Sequence, residues 1–152
     1  MQSTIHPARS LSANNLAITE SVEKERGVPA RLVHIADDDA DLCDLYRRFF
    51  SRHGWEVQLS QDGVECLGKL RDGLPGFLIV DLQLRWGGAD GLLEVMRDDP
   101  CLASVPVVLT STTALPETFP ELTLPPVVQV LEKPFSLATL LHEAEGFSQQ
   151  AK

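Results

Sequence analysis

The chain predicts an α/β domain: a parallel sheet with helices packed on both faces. Three features carry that expectation. Short β-rich runs recur five times from Arg31 onward, and the stretches between them place apolar residues at helical spacing. Two of the runs, Phe77-Leu78-Ile79-Val80 and Val105-Pro106-Val107-Val108-Leu109, are nearly continuous in apolar residues, as strands buried on both faces must be. Strands that alternate with helices are joined by crossovers, and crossovers make the sheet parallel.

Residues 1–29 are rich in Ser, Asn, Thr, Ala and Glu, and Ile5, Leu11, Leu16 and Ile18 are too sparse for an apolar stripe, so this stretch reads as a flexible N-terminal extension. The folded domain is expected over residues 30–147, with 148–152 as a C-terminal tail. Its first strand is Leu32–Ala36. Leu42, Leu45, Tyr46 and Phe49 then fall at i, i+3, i+4 and i+7, one helical face that ends before His53-Gly54. A second strand runs over Trp55–Ser60, and Asp62 with Glu65 forms a capping-box pattern ahead of Val64, Leu67 and Leu70. The third strand is Phe77–Asp81, followed by a helix with Ala89, Leu92, Leu93 and Met96 on one face, stopped at Asp98-Asp99-Pro100. The fourth strand is Val105–Thr110. The next helical slot, residues 114–126, holds Pro116, Pro120, Pro125 and Pro126. An interior proline costs about 3 kcal/mol, so Leu115, Phe119 and Leu122 support a turn or two, an atypical short fourth helix. A fifth strand at Val127–Leu131 leads to a last helix with Leu137, Leu140, Leu141 and Ala144 behind Ser136 as N-cap.

Composition narrows the function. With 43% apolar and 23% charged residues, the chain can bury a core of ordinary globular size. Thirteen basic against 22 acidic residues give a net charge of −9, which disfavours direct nucleic-acid binding through a broad charged face. No apolar run exceeds five residues, so no membrane insertion is expected. Cys43, Cys66 and Cys101 are scattered without a CxxC pair, which suits a reducing compartment, and the expected location is cytoplasmic. His6, His34, His53 and His142 lack metal-ligand spacing.

In a parallel sheet of this kind the ligand crevice lies beyond the carboxyl ends of the strands. The first strand runs into Asp37-Asp38-Asp39, the third ends at Asp81, the fourth at Thr110-Ser111 and the fifth at Glu132-Lys133-Pro134-Phe135. Two carboxylates about 4 Å apart repel by roughly 4 kcal/mol at an effective dielectric near 20, so three acids cannot share a rim uncompensated. Either one holds a proton, or a divalent cation and a lysine supply positive charge. Hard oxygen ligands on an open rim suit Mg²⁺. A carboxylate nucleophile beside a metal, a hydroxyl and an ammonium is equipped to accept a phosphoryl group.

These segments resemble the two-component response regulator receiver family. The resemblance rests on Leu32-Val33-His34-Ile35-Ala36-Asp37-Asp38-Asp39, Asp81-Leu82, Ala89-Asp90-Gly91, Pro106-Val107-Val108-Leu109-Thr110 and Lys133-Pro134-Phe135, and covers about residues 30–147. It implies a flavodoxin-like doubly wound fold with strand order 2-1-3-4-5. It implies that Asp81 is the phosphoacceptor, that Asp38 binds Mg²⁺ directly with Asp37 acting mainly through water, and that the backbone carbonyl of Gln83 is a further metal ligand. Thr110 would hydrogen-bond the phosphoryl group and Lys133 would pair with one of its oxygens. The donor would be a phosphohistidine on a sensor histidine kinase or histidine phosphotransfer protein. Only Gly146 to Lys152 follow the last helix, so a stand-alone regulator that binds a downstream protein target or relays the phosphoryl group is expected.

Two departures stand out. The family usually has eight steps and a proline at the fourth between the acceptor and the glycine, whereas ten steps separate Asp81 from Gly91, with Leu84-Arg85-Trp86-Gly87-Gly88 in the loop. Val130 stands three residues before Lys133, where the family usually has Tyr or Phe. These departures fit a second function, a phosphorylation-independent receiver-like binding module. A third, a metal-dependent hydrolase of the haloacid-dehalogenase type, is disfavoured because Ala40-Asp41 follows Asp37-x-Asp39 in place of the Gly and Thr or Val that family expects.

Overall fold

The structure is a computed structural model that describes residues 31–85, 88–114 and 120–150. The expected extension over residues 1–29 lies outside the described residues, as do Trp86, Leu115 and Phe119. Strands β1 (Leu32–Ala36), β2 (Glu56–Ser60), β3 (Phe77–Asp81), β4 (Val107–Ser111) and β5 (Val127–Glu132) form one parallel sheet in the order β2-β1-β3-β4-β5, the expected order. Helices α1 (Ala40–Arg52), α2 (Gly63–Asp72), α3 (Gly88–Asp98) and α4 (Leu137–Gln150) cover it. Short 3₁₀ turns stand at Leu102–Ser104 and Pro120–Thr123.

Every residue of β3 and β4 is buried, and side-chain alternation divides them between two apolar layers. Leu78, Val80, Val107 and Leu109 pack with residues of α2 and α3 such as Leu70, Leu93 and Met96. Phe77, Ile79 and Val108, with Val33 and Ile35 of β1, pack with Tyr46 and Phe50 of α1 and Leu140 and Ala144 of α4. Each fully buried Leu, Ile or Phe contributes about 1.5–3 kcal/mol, so these two layers fix the sheet whose carboxyl end carries the acids.

Local details correct several expectations. The buried face of α1 is Cys43, Tyr46 and Phe50, and Leu45 is half exposed. Phe50 sets the rotation by meeting Trp55 edge-on at 6.3 Å between ring centroids, and the Cys43 thiol donates to the Asp37 carbonyl at 3.3 Å. In α2, Val64 is exposed and the core positions are Cys66 and Leu70. Asp62 caps that helix by accepting from the Glu65 N–H at 2.7 Å, while Glu65 reaches back to the Gln61 N–H at 2.9 Å, one residue earlier than a capping box requires. Strand β4 opens at Val107 because the Val105 N–H is spent on Leu102 and Pro106 has none; Val107 donates to the Pro126 carbonyl at 3.0 Å. Ser136 accepts from the Thr139 N–H at 3.2 Å as the expected cap of α4. That helix continues to Gln150, into the stretch read as a tail.

In the proline-rich slot, the described residues hold the 3₁₀ turn Pro120–Thr123, with Leu122 buried in the core. Arg97 in the last turn of α3 fastens this segment by donating to the carbonyls of Pro125 at 2.9 Å, Leu124 at 3.2 Å, and Glu121. Arg97→Ala leaves those carbonyls to water and is expected to lower stability by about 1–2 kcal/mol in urea denaturation. Faster amide exchange at Leu124 and Val127 should accompany it, since both donate within this segment.

Beneath α2, fully buried His34 on β1 shares a 2.8 Å hydrogen bond with Ser60 on β2. Burial holds the imidazole down at about 4 from its usual 6.5; the positive charge of Lys69 adds to the shift and Glu65 opposes it. The unfolded chain therefore binds a proton in that window that the folded protein refuses, and stability falls as pH drops from about 6.5 toward 4. The full effect is about 3 kcal/mol. His34→Asn is expected to flatten the stability profile between these pH values, as read by urea titrations across them.

Candidate functional site

The carboxyl ends of β1, β3, β4 and the start of the segment after β5 meet at one rim. Asp37 follows β1 directly, its N–H donating to the Ser60 carbonyl at 3.1 Å, and this bond orients the residue over the sheet edge. Asp81 is the last residue of β3 and lies in register with Thr110 of β4. The Leu82 N–H donates to the Thr110 carbonyl at 2.8 Å, and the Leu84 N–H to the Asp81 carbonyl at 3.1 Å, so the chain turns at once after Asp81. Lys133 leaves β5 with its N–H on the Ser111 carbonyl at 2.6 Å.

Lys133 is the centre of the arrangement. Its Nζ lies 2.6 Å from Asp81 Oδ2 and 3.3 Å from Asp37 Oδ2, and the side chains of Lys133, Asp81 and Asp37 are 17%, 10% and 3% exposed. The other carboxylate oxygens are also engaged: Asp37 Oδ1 accepts from the Asp39 N–H at 2.9 Å, and Asp81 Oδ1 from the Gln83 N–H at 2.7 Å. Burial pushes the Asp37 carboxyl above its usual value, against the Asp39 N–H and the Lys133 charge. Burial pulls the Lys133 ammonium down, but the hydrogen bond it donates to Asp81 and the charges of both carboxylates outweigh it, and the net shift is upward.

Thr110 is fully buried, and its hydroxyl has no partner among the described residues. An unmade hydrogen bond of that kind costs about 1–3 kcal/mol, and the residue that carries it is paired in register with Asp81 on the neighbouring strand. The Tyr46 hydroxyl is likewise buried and unpaired among the described residues, and burial together with the charges of Asp37 and Asp81 raises its pKa. Periodicity assigned Tyr46 to the core and gave no sign that its polar end lies in the field of the acids. Burial also pushes the thiols of Cys43 and Cys66 up to about 11, so neither is a thiolate near neutrality.

Asp38 stands apart from Lys133. Its Oδ2 lies 3.1 Å from Arg85 Nε, an ion pair between partly exposed side chains. Among the described residues no three acidic, His or Cys side chains converge as a formed metal cage. The donor types nevertheless suit Mg²⁺: carboxylate oxygens on Asp37, Asp38 and Asp81, and a backbone carbonyl on Gln83 two residues beyond Asp81. Arg85 was not among the expected site residues. Its signal was its place, four positions after Asp81 where the resembled pattern usually has proline.

The family model of the response regulator receiver domain matches residues 33–145. Response regulators MprA of Mycobacterium sp. strains KMS and JLS are 36% identical over 70 residues, which covers 46% of this chain and 29% of theirs. The match thus spans less than a third of those relatives' length. Among solved structures, the receiver domain of a Francisella response regulator is similar with a TM-score of 0.73 at 22% identity, covering 80% of this chain and 99% of that one. Vibrio cholerae chemotaxis protein CheY4 gives a TM-score of 0.70 at 22% identity, covering 77% of this chain and 98% of that one. At such identities these structures establish the fold. Among the described residues no helix is long and apolar enough to cross a membrane.

Proposed function

Because the chain belongs to the response regulator receiver domain family, we propose that Asp81 accepts a phosphoryl group from a phosphohistidine, with Mg²⁺, and that this switches a protein-interaction surface in two-component signalling or a phosphorelay. One observation carries the reading. A partly buried ammonium, that of Lys133, bridges Asp81 at 2.6 Å and Asp37 at 3.3 Å beside a buried hydroxyl that has no partner among the described residues.

In the transfer, an Asp81 carboxylate oxygen forms the new bond to phosphorus. The phosphorus–nitrogen bond of the donor breaks, and its electron pair stays with the imidazole, which takes a proton from solvent. Lys133 moves its hydrogen bond from the carboxylate to a phosphoryl oxygen, and Thr110 donates its hydroxyl to another. Asp37, Asp38, Asp81 and the Gln83 carbonyl would hold Mg²⁺, which supplies positive charge to the phosphoryl oxygens when bound. The protein acts as a switch that is charged and discharged, and turnover of a substrate is not its purpose. A sensor histidine kinase or histidine phosphotransfer protein donates, and a downstream protein target reads the result. The net charge of −9 argues against direct nucleic-acid contact. The receiver occupies residues 30–147, its last helix running on to Gln150, in a cytoplasmic protein with 1–29 as an extension.

The test is intact mass after brief incubation with a small phosphodonor and Mg²⁺. One phosphoryl group should be gained, and none when a chelator is present. A second reading, the phosphorylation-independent binding module, is favoured by the 3₁₀ turn Pro120–Thr123 and by Val130 on β5. An unmoved mass together with failure to bind a beryllofluoride mimic would turn the assignment to that module.

A further inference from the structure

Arg85 departs from the resembled pattern and also touches the rim, through its 3.1 Å pair with Asp38. An ion pair between exposed side chains is usually worth little, because two mobile chains are ordered for one screened contact. Here the backbone that carries the arginine is fastened. The Arg85 carbonyl accepts from the Gly63 N–H at 3.1 Å, and Arg85 forms an isolated parallel bridge with Asp62. The preceding Leu84 is buried in the core at 4% exposure. The guanidinium is therefore presented to Asp38 from a fixed point, and only the side chain beyond Cβ remains to be ordered.

Among the described residues, the ion pairs of the rim join three acids to two protein cations. Lys133 is committed to Asp81 and Asp37, so Arg85 is the positive charge on Asp38. The geometry points to Arg85 as a built-in counter-ion that a divalent cation must displace from Asp38. This rests on the reading of the rim as a metal-assisted phosphoacceptor. Two consequences follow from charge alone. A dication approaching Asp38 meets a guanidinium already in contact with it, and this raises the concentration needed for occupancy. Once displaced, Arg85 is released at the loop that borders the acceptor, so cation binding by itself moves a charged side chain there before any phosphoryl group arrives.

The test is a MgCl₂ titration of the full chain, wild type and Arg85→Gln, followed by amide resonances of Asp38 and Gln83 and by the Arg85 Nε–H resonance of the wild type. Arg85→Gln is expected to bind Mg²⁺ about three- to tenfold more tightly. The wild-type Nε–H signal should shift along the same curve as the amides. Equal affinities with an unmoved Nε–H signal overturn the inference and leave the phosphoacceptor reading intact. Weaker binding by Arg85→Gln also overturns it, since Arg85 would then support the metal. Failure of both proteins to bind Mg²⁺ overturns it together with the metal-assisted reading, which the phosphodonor experiment tests separately.

Discussion

Asp81→Asn is expected to abolish phosphoryl uptake while leaving the fold as stable or firmer. The loss is complete because the amide offers no anionic oxygen to attack phosphorus, and Asp37 is tied to the Asp39 N–H and to Lys133. The gain in stability follows from the charge balance. Asp37 and Asp81 share one ammonium, and the Asp81 charge is among the influences that push the Asp37 carboxyl upward. Removing one of two like charges leaves Asp37 and Lys133 as a one-to-one pair, an expected gain of about 1 kcal/mol. Intact mass checks the first outcome and urea denaturation the second. Phosphoryl uptake that persists in Asp81→Asn would move the acceptor elsewhere. A variant markedly less stable than wild type would show that attraction to Lys133 outweighs the repulsion between the acids.

Much of this architecture was legible in the residues, and the gaps have physical causes. The unbroken apolar runs of β3 and β4 announced a sheet buried on both faces, but the order of strands came from the family resemblance, because periodicity says nothing about neighbours. On α1 the expected Leu42, Tyr46 and Phe49 do pack against the core, but Leu45 is half exposed and the most deeply buried positions include Cys43 and Phe50. Leu42-Leu45-Tyr46-Phe49 and Cys43-Tyr46-Phe50 both keep helical spacing and share Tyr46, and the packing of Phe50 against Trp55 turns the helix toward the second set. The prolines argued against a full helix in the slot after β4, and its described residues hold only the 3₁₀ turn Pro120–Thr123. The clamp that holds the segment was invisible, since Arg97 bonds backbone carbonyls 24–28 residues further on and no side-chain pattern records that. Asp37, Asp81, Thr110 and Lys133 could be grouped from the sequence because each stands near the carboxyl end of a strand, where a parallel sheet gathers its chemistry, and the structure brings them to one rim. Arg85 could not be placed, because its position depends on the path of a lengthened loop and on a backbone bridge to Asp62.

Replacing Lys133 by methionine is expected to destabilise the protein by about 2–3 kcal/mol at neutral pH, the largest single effect at the rim. Methionine keeps most of the stem and removes the charge, so two carboxylates with side chains 3% and 10% exposed face each other with no shared cation. The wild-type profile bears on the sign. The Lys133 ammonium titrates above its usual value of 10.5, so its stabilisation is complete below that pH and is lost only as pH rises through the folded-state value. In Lys133→Met the dependence appears at the acid end instead. The Asp37 carboxyl, already raised by burial and now without the Lys133 charge that opposes the rise, takes up a proton more readily folded than unfolded, so the deficit relative to wild type should shrink as pH falls. Adding Asp81→Asn should recover most of the loss at neutral pH, because a single buried carboxylate then remains, with the Asp39 N–H on one oxygen. Urea denaturation of the four proteins in this double-mutant cycle gives the coupling directly. Equal destabilisation by Lys133→Met in both backgrounds would mean that Lys133 acts through its packed stem, and the charge-sharing account of the rim would then fail.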